Sequence, residues 1–85
     1  MGEREGGMDM ISYAPFHTLL YKRRLKKTEV MRMAGISNAT MARLSSGKPV
    51  SLDVIDRLCK ALDVPVNEII EYAPDIDLNQ KGGIK

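Results

Sequence analysis

Lys27–Leu44, KTEVMRMAGISNATMARL, is the stretch whose reading decides the fold. Val30, Met33 and Ala34 recur at helical spacing, which predicts a helix over Lys27–Ala34 with those three facing inward. Gly35 stops that helix, because glycine enters the left-handed region without steric cost. Ser37 suits the N-cap of a following helix. Gly47 with Pro49 closes that second helix after Leu44. Ile36 fills the corner, while Met41 and Leu44 pack back onto the first helix. The result is two short helices across a tight turn. The second is only about two turns long, the kind of element a DNA major groove admits.

Working outward, Ile11-Ser12-Tyr13 alternates apolar and polar but is too short for more than an extended arm. Pro15 fits the first turn of a helix, with Phe16, Leu19 and Leu20 as its apolar stripe, running out near Arg23 or Arg24. Downstream, Ser51 caps a fourth helix whose Leu52, Ile55, Leu58, Cys59 and Leu62 repeat every three or four residues. After Asp63-Val64-Pro65 a short fifth helix is expected from Val66 to about Tyr72, burying Ile69 and Ile70. The expected fold is all-α: five helices in one domain over residues 11–74, with a disordered leader at 1–10 and a flexible tail at 75–85.

With 85 residues there is room for one small core. Cys59 is the single cysteine and His17 the single histidine, so neither a disulfide nor a zinc-spaced cluster can form. Cys59 reads as a buried structural thiol, His17 as a surface or packing residue. No apolar run approaches the ~20 residues of a membrane helix, and a cytoplasmic protein is expected. Carboxylates Asp53, Asp56, Glu68 and Glu71 stand near helix starts, where the helix dipole favours them. No catalytic motif, metal site, cofactor or small-molecule effector is expected. The net charge of +2 conceals a strong segregation. Lys22, Arg23, Arg24, Lys26, Lys27, Arg32, Arg43 and Lys48 face Glu29 alone between Tyr21 and Lys48, a formal +7. Such a segment attracts a polyanion whatever the total charge.

Turning the second helix of the hairpin at about 100° per residue places Met41 and Leu44 toward the core. Ala39, Ala42, Arg43 and Ser46 then point away, with Asn38 at the exposed start. Arg43 suits bidentate contact with guanine and Asn38 with adenine, each worth about 1–3 kcal/mol of discrimination. Ala39 can touch a thymine methyl. Phosphates are expected at Lys27, Thr28, Ser37, Ser46 and Lys48, with Arg23 and Arg24 as further candidates. Thr40 either contacts phosphate or packs.

The motif from Ala34 to Leu44, the loop Ser45-Ser46-Gly47-Lys48-Pro49 and the helix from Ser51 to Leu62 resemble the phage-repressor (Cro-like, XRE) helix-turn-helix family. The resemblance covers Ile11 to Pro74 and is greatest to short one-domain members that end soon after a stretch such as Ile69–Tyr72. It implies a λ-repressor-like domain, with the same three positions, Asn38, Ala39 and Arg43, reading bases. Three departures stand out. Met31 replaces a usual small residue. Lys26 and Lys27 stand where a capping serine and a phosphate-binding glutamine are common. Leu20 and Ser45 occupy the places of a buried Arg–Glu pair, lost here as a whole. The expected function is sequence-specific binding of double-stranded DNA by a prokaryotic or phage transcriptional repressor. A homodimer is expected to span two half-sites, through Ile69, Ile70, Tyr72, Ile76 and Leu78 or through the Ile11–Tyr13 arm; the alternative is that both only cap the domain core, against each other. The alternative is an antitoxin-like or adaptor module that binds protein on the same fold. RNA binding has little support, since stacking aromatics are few.

Overall fold

Four helices follow one another, each begun and ended by local chemistry: α1 Ala14–Arg23, α2 Lys27–Ala34, α3 Asn38–Ser46 and α4 Leu52–Leu62. The computed structural model describes residues 10–73. Pro15 lies in the first turn of α1, and the Ser12 hydroxyl accepts the Ala14 N–H at 3.0 Å. Ser37 and Ser51 cap α3 and α4 by accepting the Thr40 and Val54 N–H groups at 3.1 and 3.2 Å. At α2 the Glu29 carboxylate accepts the Lys26 N–H at 2.7 Å. A lysine side chain has no acceptor, so only this half of a capping box exists. Gly35 and Gly47 end α2 and α3 at φ 68° and 75°. Arg24 and Asp63 take the same left-handed conformation after α1 and α4, at φ 56° and 58°. Closing hydrogen bonds, Leu25 N–H to Leu20 and Val64 N–H to Cys59, offset that cost.

The core draws on every one of the four helices. Phe16, Leu19 and Leu20 of α1 meet Val30 and Ala34 of α2, Met41 and Leu44 of α3, and Ile55, Leu58 and Leu62 of α4. Ile36 plugs the turn, and Tyr13 and Ile69 close the cluster from outside the helices. Among the described residues no helix is long and apolar enough to cross a membrane.

The expected fifth helix is the main correction. Val66–Glu68 makes a single 3-10 turn, and Glu71–Tyr72 then runs as a strand, β2. It pairs antiparallel with β1, Ile11–Ser12, in the register Ile11 to Tyr72 and Ser12 to Glu71. The fold is therefore mostly helical rather than all-α, with four helices and a two-stranded sheet. Val66, Ile69 and Ile70 mimic helical spacing, but only Ile69 is fully buried, Ile70 is half-buried and Val66 is exposed. The arm offers the backbone a pairing partner that a fifth helix would forgo. The same pairing makes the Ile11–Ser12 arm a strand. The expected leader lies outside the described residues apart from Met10, whose carbonyl accepts the Ala73 N–H at 2.6 Å. The expected tail lies outside them altogether, with Ile76 and Leu78 of the expected dimer surface.

Two side chains expected inside are not. Met33 is 47% exposed: at about 100° per residue it falls roughly 80° from the centre of the Val30–Ala34 stripe. Leu52 is 81% exposed, because it is the first residue of α4 and stands beyond the packed part of that helix. Cys59 is half-buried at the edge of its stripe. Burial, with the Asp56 charge adding, pushes its thiol pKa up, so the thiol stays protonated near neutrality. His17 packs as expected, its ring tilted against Phe16 at 5.4 Å and its Nε2 3.3 Å from the Leu44 carbonyl.

Candidate nucleic-acid interface

The outer face of α3 follows from which of its residues the core takes. Met41 and Leu44 are buried, so Asn38, Ala39, Ala42, Arg43 and Ser46 are left exposed. All three residues expected to read bases share this one helix. The two alanines leave its middle low, and a low helix face can approach a groove floor closely. Arg43 is exposed but not free: its Nε–H donates to the Pro49 carbonyl at 2.7 Å. A guanidinium carries five N–H donors. Using the single Nε–H leaves the four on Nη1 and Nη2, a fork that still matches the O6 and N7 of guanine.

The residues expected at phosphates fall into three kinds of environment. Lys27, at the start of α2, reaches α3 and donates from Nζ to the Ser45 hydroxyl at 2.9 Å. That contact uses the position left open by the absent Arg–Glu pair, and two ammonium protons remain for an anion. Thr28 is exposed in the first turn of α2. The Ser37 hydroxyl donates to Thr40 Oγ1 at 3.1 Å while accepting the Thr40 N–H. The Thr40 hydroxyl proton is thereby directed away from Ser37 and is available to a phosphate oxygen. Ser46 gives its proton to the Ala42 carbonyl at 2.7 Å, leaving its oxygen as an acceptor only, a poor match for phosphate unless it rotates. The Lys48 side chain is exposed and its backbone is held: the Tyr13 hydroxyl donates to the Lys48 carbonyl at 2.7 Å.

Arg23 is engaged elsewhere, its Nη1 donating to the Leu62 carbonyl at 2.6 Å and tying α1 to the end of α4. Arg24 is exposed at the end of α1. Among the described residues the two ion pairs, Arg57–Asp53 at 2.9 Å and Lys60–Asp56 at 3.0 Å, both lie along α4. Neither draws on the basic segment from Lys22 to Lys48, so its charge is not neutralised by them.

Two residues absent from the sequence-derived site support it. Tyr13 is buried beside α3 and holds the following loop. Desolvation raises its pKa from the ordinary value, partly opposed by the Val50 backbone and the nearby Arg43 charge. Arg57 donates from Nε to Asp53 and from Nη1 to the Gly35 carbonyl at 3.1 Å. It therefore pins the turn between α2 and α3 to α4. The spacing of Asp53 and Arg57 was visible as an i,i+4 pair; the carbonyl partner had no signal.

Residues 16–75 match the Cro/C1-type HTH DNA-binding domain. An uncharacterized HTH-type transcriptional regulator of Bacillus subtilis (strain 168), YozG, is 34% identical over 61 residues, which span 69% of this chain and 73% of that protein. The crystal structure of the transcriptional regulator VanUg is similar with a TM-score of 0.72 and 32% identity, covering 87% of this chain and 100% of the other.

Proposed function

The chain belongs to the Cro/C1-type helix-turn-helix family of DNA-binding regulators, and from that premise we propose that it reads a specific operator in duplex DNA with α3 in the major groove. The observation that carries this reading is the division of α3 itself. Two bulky residues, Met41 and Leu44, anchor it in the core, and two alanines flanked by Asn38 and Arg43 form its outer face. Arg43 reads guanine, Asn38 reads adenine and Ala39 meets a thymine methyl. Lys27, Thr28, Thr40 and Lys48 hold phosphates, with Ser37 orienting Thr40, so affinity falls steeply with salt. Ser46 takes part after rotating off the Ala42 carbonyl. Occupancy of the operator represses transcription.

One domain makes few base contacts, and a homodimer on two half-sites about one helical turn apart supplies the rest. The strand pairing sets the two expected dimer surfaces against each other within the chain, so a partner subunit would meet what they leave exposed. Ile11 and Tyr72 are exposed on the paired strands, Met10 beside them, and Leu52 at the start of α4. Leu52 and Ile11 share a shallow depression with Val50 and Ile70.

Selection of binding sites from random duplex DNA, with wild type and Arg43→Ala side by side, tests the proposal. A two-fold-symmetric site, relaxed by the substitution at one position per half-site, is the expected outcome. A single enriched half-site removes the dimer. No enrichment at low salt moves the function to binding a protein.

A further inference from the structure

The loop that leaves α3 is held from two sides at adjacent carbonyls. Arg43 Nε donates to Pro49 O at 2.7 Å, and Tyr13 Oη donates to Lys48 O at 2.7 Å. A third bond, from Lys48 N–H to the Arg43 carbonyl at 2.9 Å, closes the segment on the helix end. Tyr13 itself cannot shift easily: it is buried, and its carbonyl accepts the first helical bond of α1 from His17 at 3.1 Å. The chain of contacts thus runs from a rigid core residue, through two successive peptide units joined at the rigid Pro49 ring, to the guanidinium on the outer face of α3.

We infer that Tyr13 is a positioning residue for Arg43, acting through the successive Lys48–Pro49 and Pro49–Val50 peptides to aim the Nη1–Nη2 fork at a guanine. The inference rests on the reading of Arg43 as a base contact and adds how that contact becomes specific. An exposed arginine has many rotamers and loses most of them on binding. Here the Pro49 carbonyl fixes Nε in advance, and the carbonyl stays in place because the Tyr13 hydroxyl restrains its neighbour. A fork held this way tolerates guanine better than its replacements, since a rigid donor pair cannot swing to other acceptors. Removing the Tyr13 hydroxyl leaves the aromatic ring in the core and releases only the loop.

The test is a double-mutant cycle on the full chain. Its DNA probes are the site chosen in the selection above and the same duplex with the guanine assigned to Arg43 changed to adenine. Arg43→Ala should lower the affinity ratio between the two by about 5- to 150-fold. Tyr13→Phe should lower the same ratio by about 3- to 10-fold; any loss through the Lys48 phosphate contact falls on both probes alike and cancels in the ratio. In the Arg43→Ala background, Tyr13→Phe should have no further effect on the ratio, which a merely structural role would not produce. An unchanged ratio in Arg43→Ala defeats the base-reading assignment. A changed ratio there with an unchanged or increased one in Tyr13→Phe overturns the positioning role alone. Equal effects of Tyr13→Phe with and without Arg43 overturn it as well. If Tyr13→Phe does not fold, hydrogen exchange in the wild-type chain decides. The Arg43 Nε–H should exchange several-fold more slowly than those of Arg24 and Arg32, and equal exchange overturns the inference.

Discussion

The α2–α3 unit and the seam formed by β1, the 3-10 turn and β2 lie in one core but are built by different means. In the first, neighbours in sequence do nearly everything: Ser37 caps its own helix, Gly35 and Gly47 end theirs, and the buried residues recur at helical spacing. In the second, two two-residue strands find each other across the length of the domain, and Ile69 completes the core from a turn with no helix to hold it. Local chemistry therefore sets the shape of the α2–α3 unit, and long-range closure sets how firmly it is mounted.

The largest effect compares the two regions directly. Leu44→Ala in α3 and Ile69→Ala in the seam are each expected to cost about 2–5 kcal/mol, since both side chains are fully buried. Urea denaturation should show one transition for both. A cost below about 1 kcal/mol for Ile69→Ala would mean that the seam is an appendage to the core.

Smaller is the cost at the two glycines of the α2–α3 unit. Gly35→Ala and Gly47→Ala both force alanine to positive φ, at about 1–2 kcal/mol each. At Gly35 the new Cβ comes into ordinary van der Waals contact with Arg57 Nη1 at 3.4 Å, while at Gly47 nothing lies within 4 Å. Urea denaturation should therefore show similar costs, with Arg57→Ala giving no relief to Gly35→Ala. A larger cost at Gly35 that Arg57→Ala removes would place the strain in the tie to α4.

The smallest effect is in pH, at the residue that joins the seam to the loop after α3. Burial raises the Tyr13 pKa above its ordinary value of 10.0. Its contribution to stability is thus intact below about pH 10 and declines as pH rises toward the folded-state value, with a limiting slope of about 1.4 kcal/mol per pH unit. Melting curves from pH 8 to 11 should fall less steeply for Tyr13→Phe than for wild type. Parallel curves would show that the hydroxyl is not shielded.

What could be read from the sequence divides along the same line. Gly35, Ser37 and the spacing of Val30, Ala34, Met41 and Leu44 carried α2, the turn and α3, and with them the exposure of Asn38, Ala39 and Arg43. The error at Val66–Tyr72 arose because three apolar residues at helical spacing look alike whether a helix or a distant strand takes them up. The ties that matter most to the site were illegible for a different reason. Tyr13 to Lys48, Arg43 to Pro49, Arg57 to Gly35 and Arg23 to Leu62 all end on a backbone carbonyl. Every residue carries that acceptor, so no residue type marks the partner.

The hydrogen bond between Ala73 and Met10 has a consequence for engineering. The path of the chain through the domain comes back to its own beginning, so a short linker between these two residues would make the backbone a continuous ring without moving a helix. The ring can then be cut at another exposed loop to give a circular permutant. It can equally be spliced at Met10 and Ala73 into a surface loop of a host protein, which would then display α3 with both connections leaving from a single point.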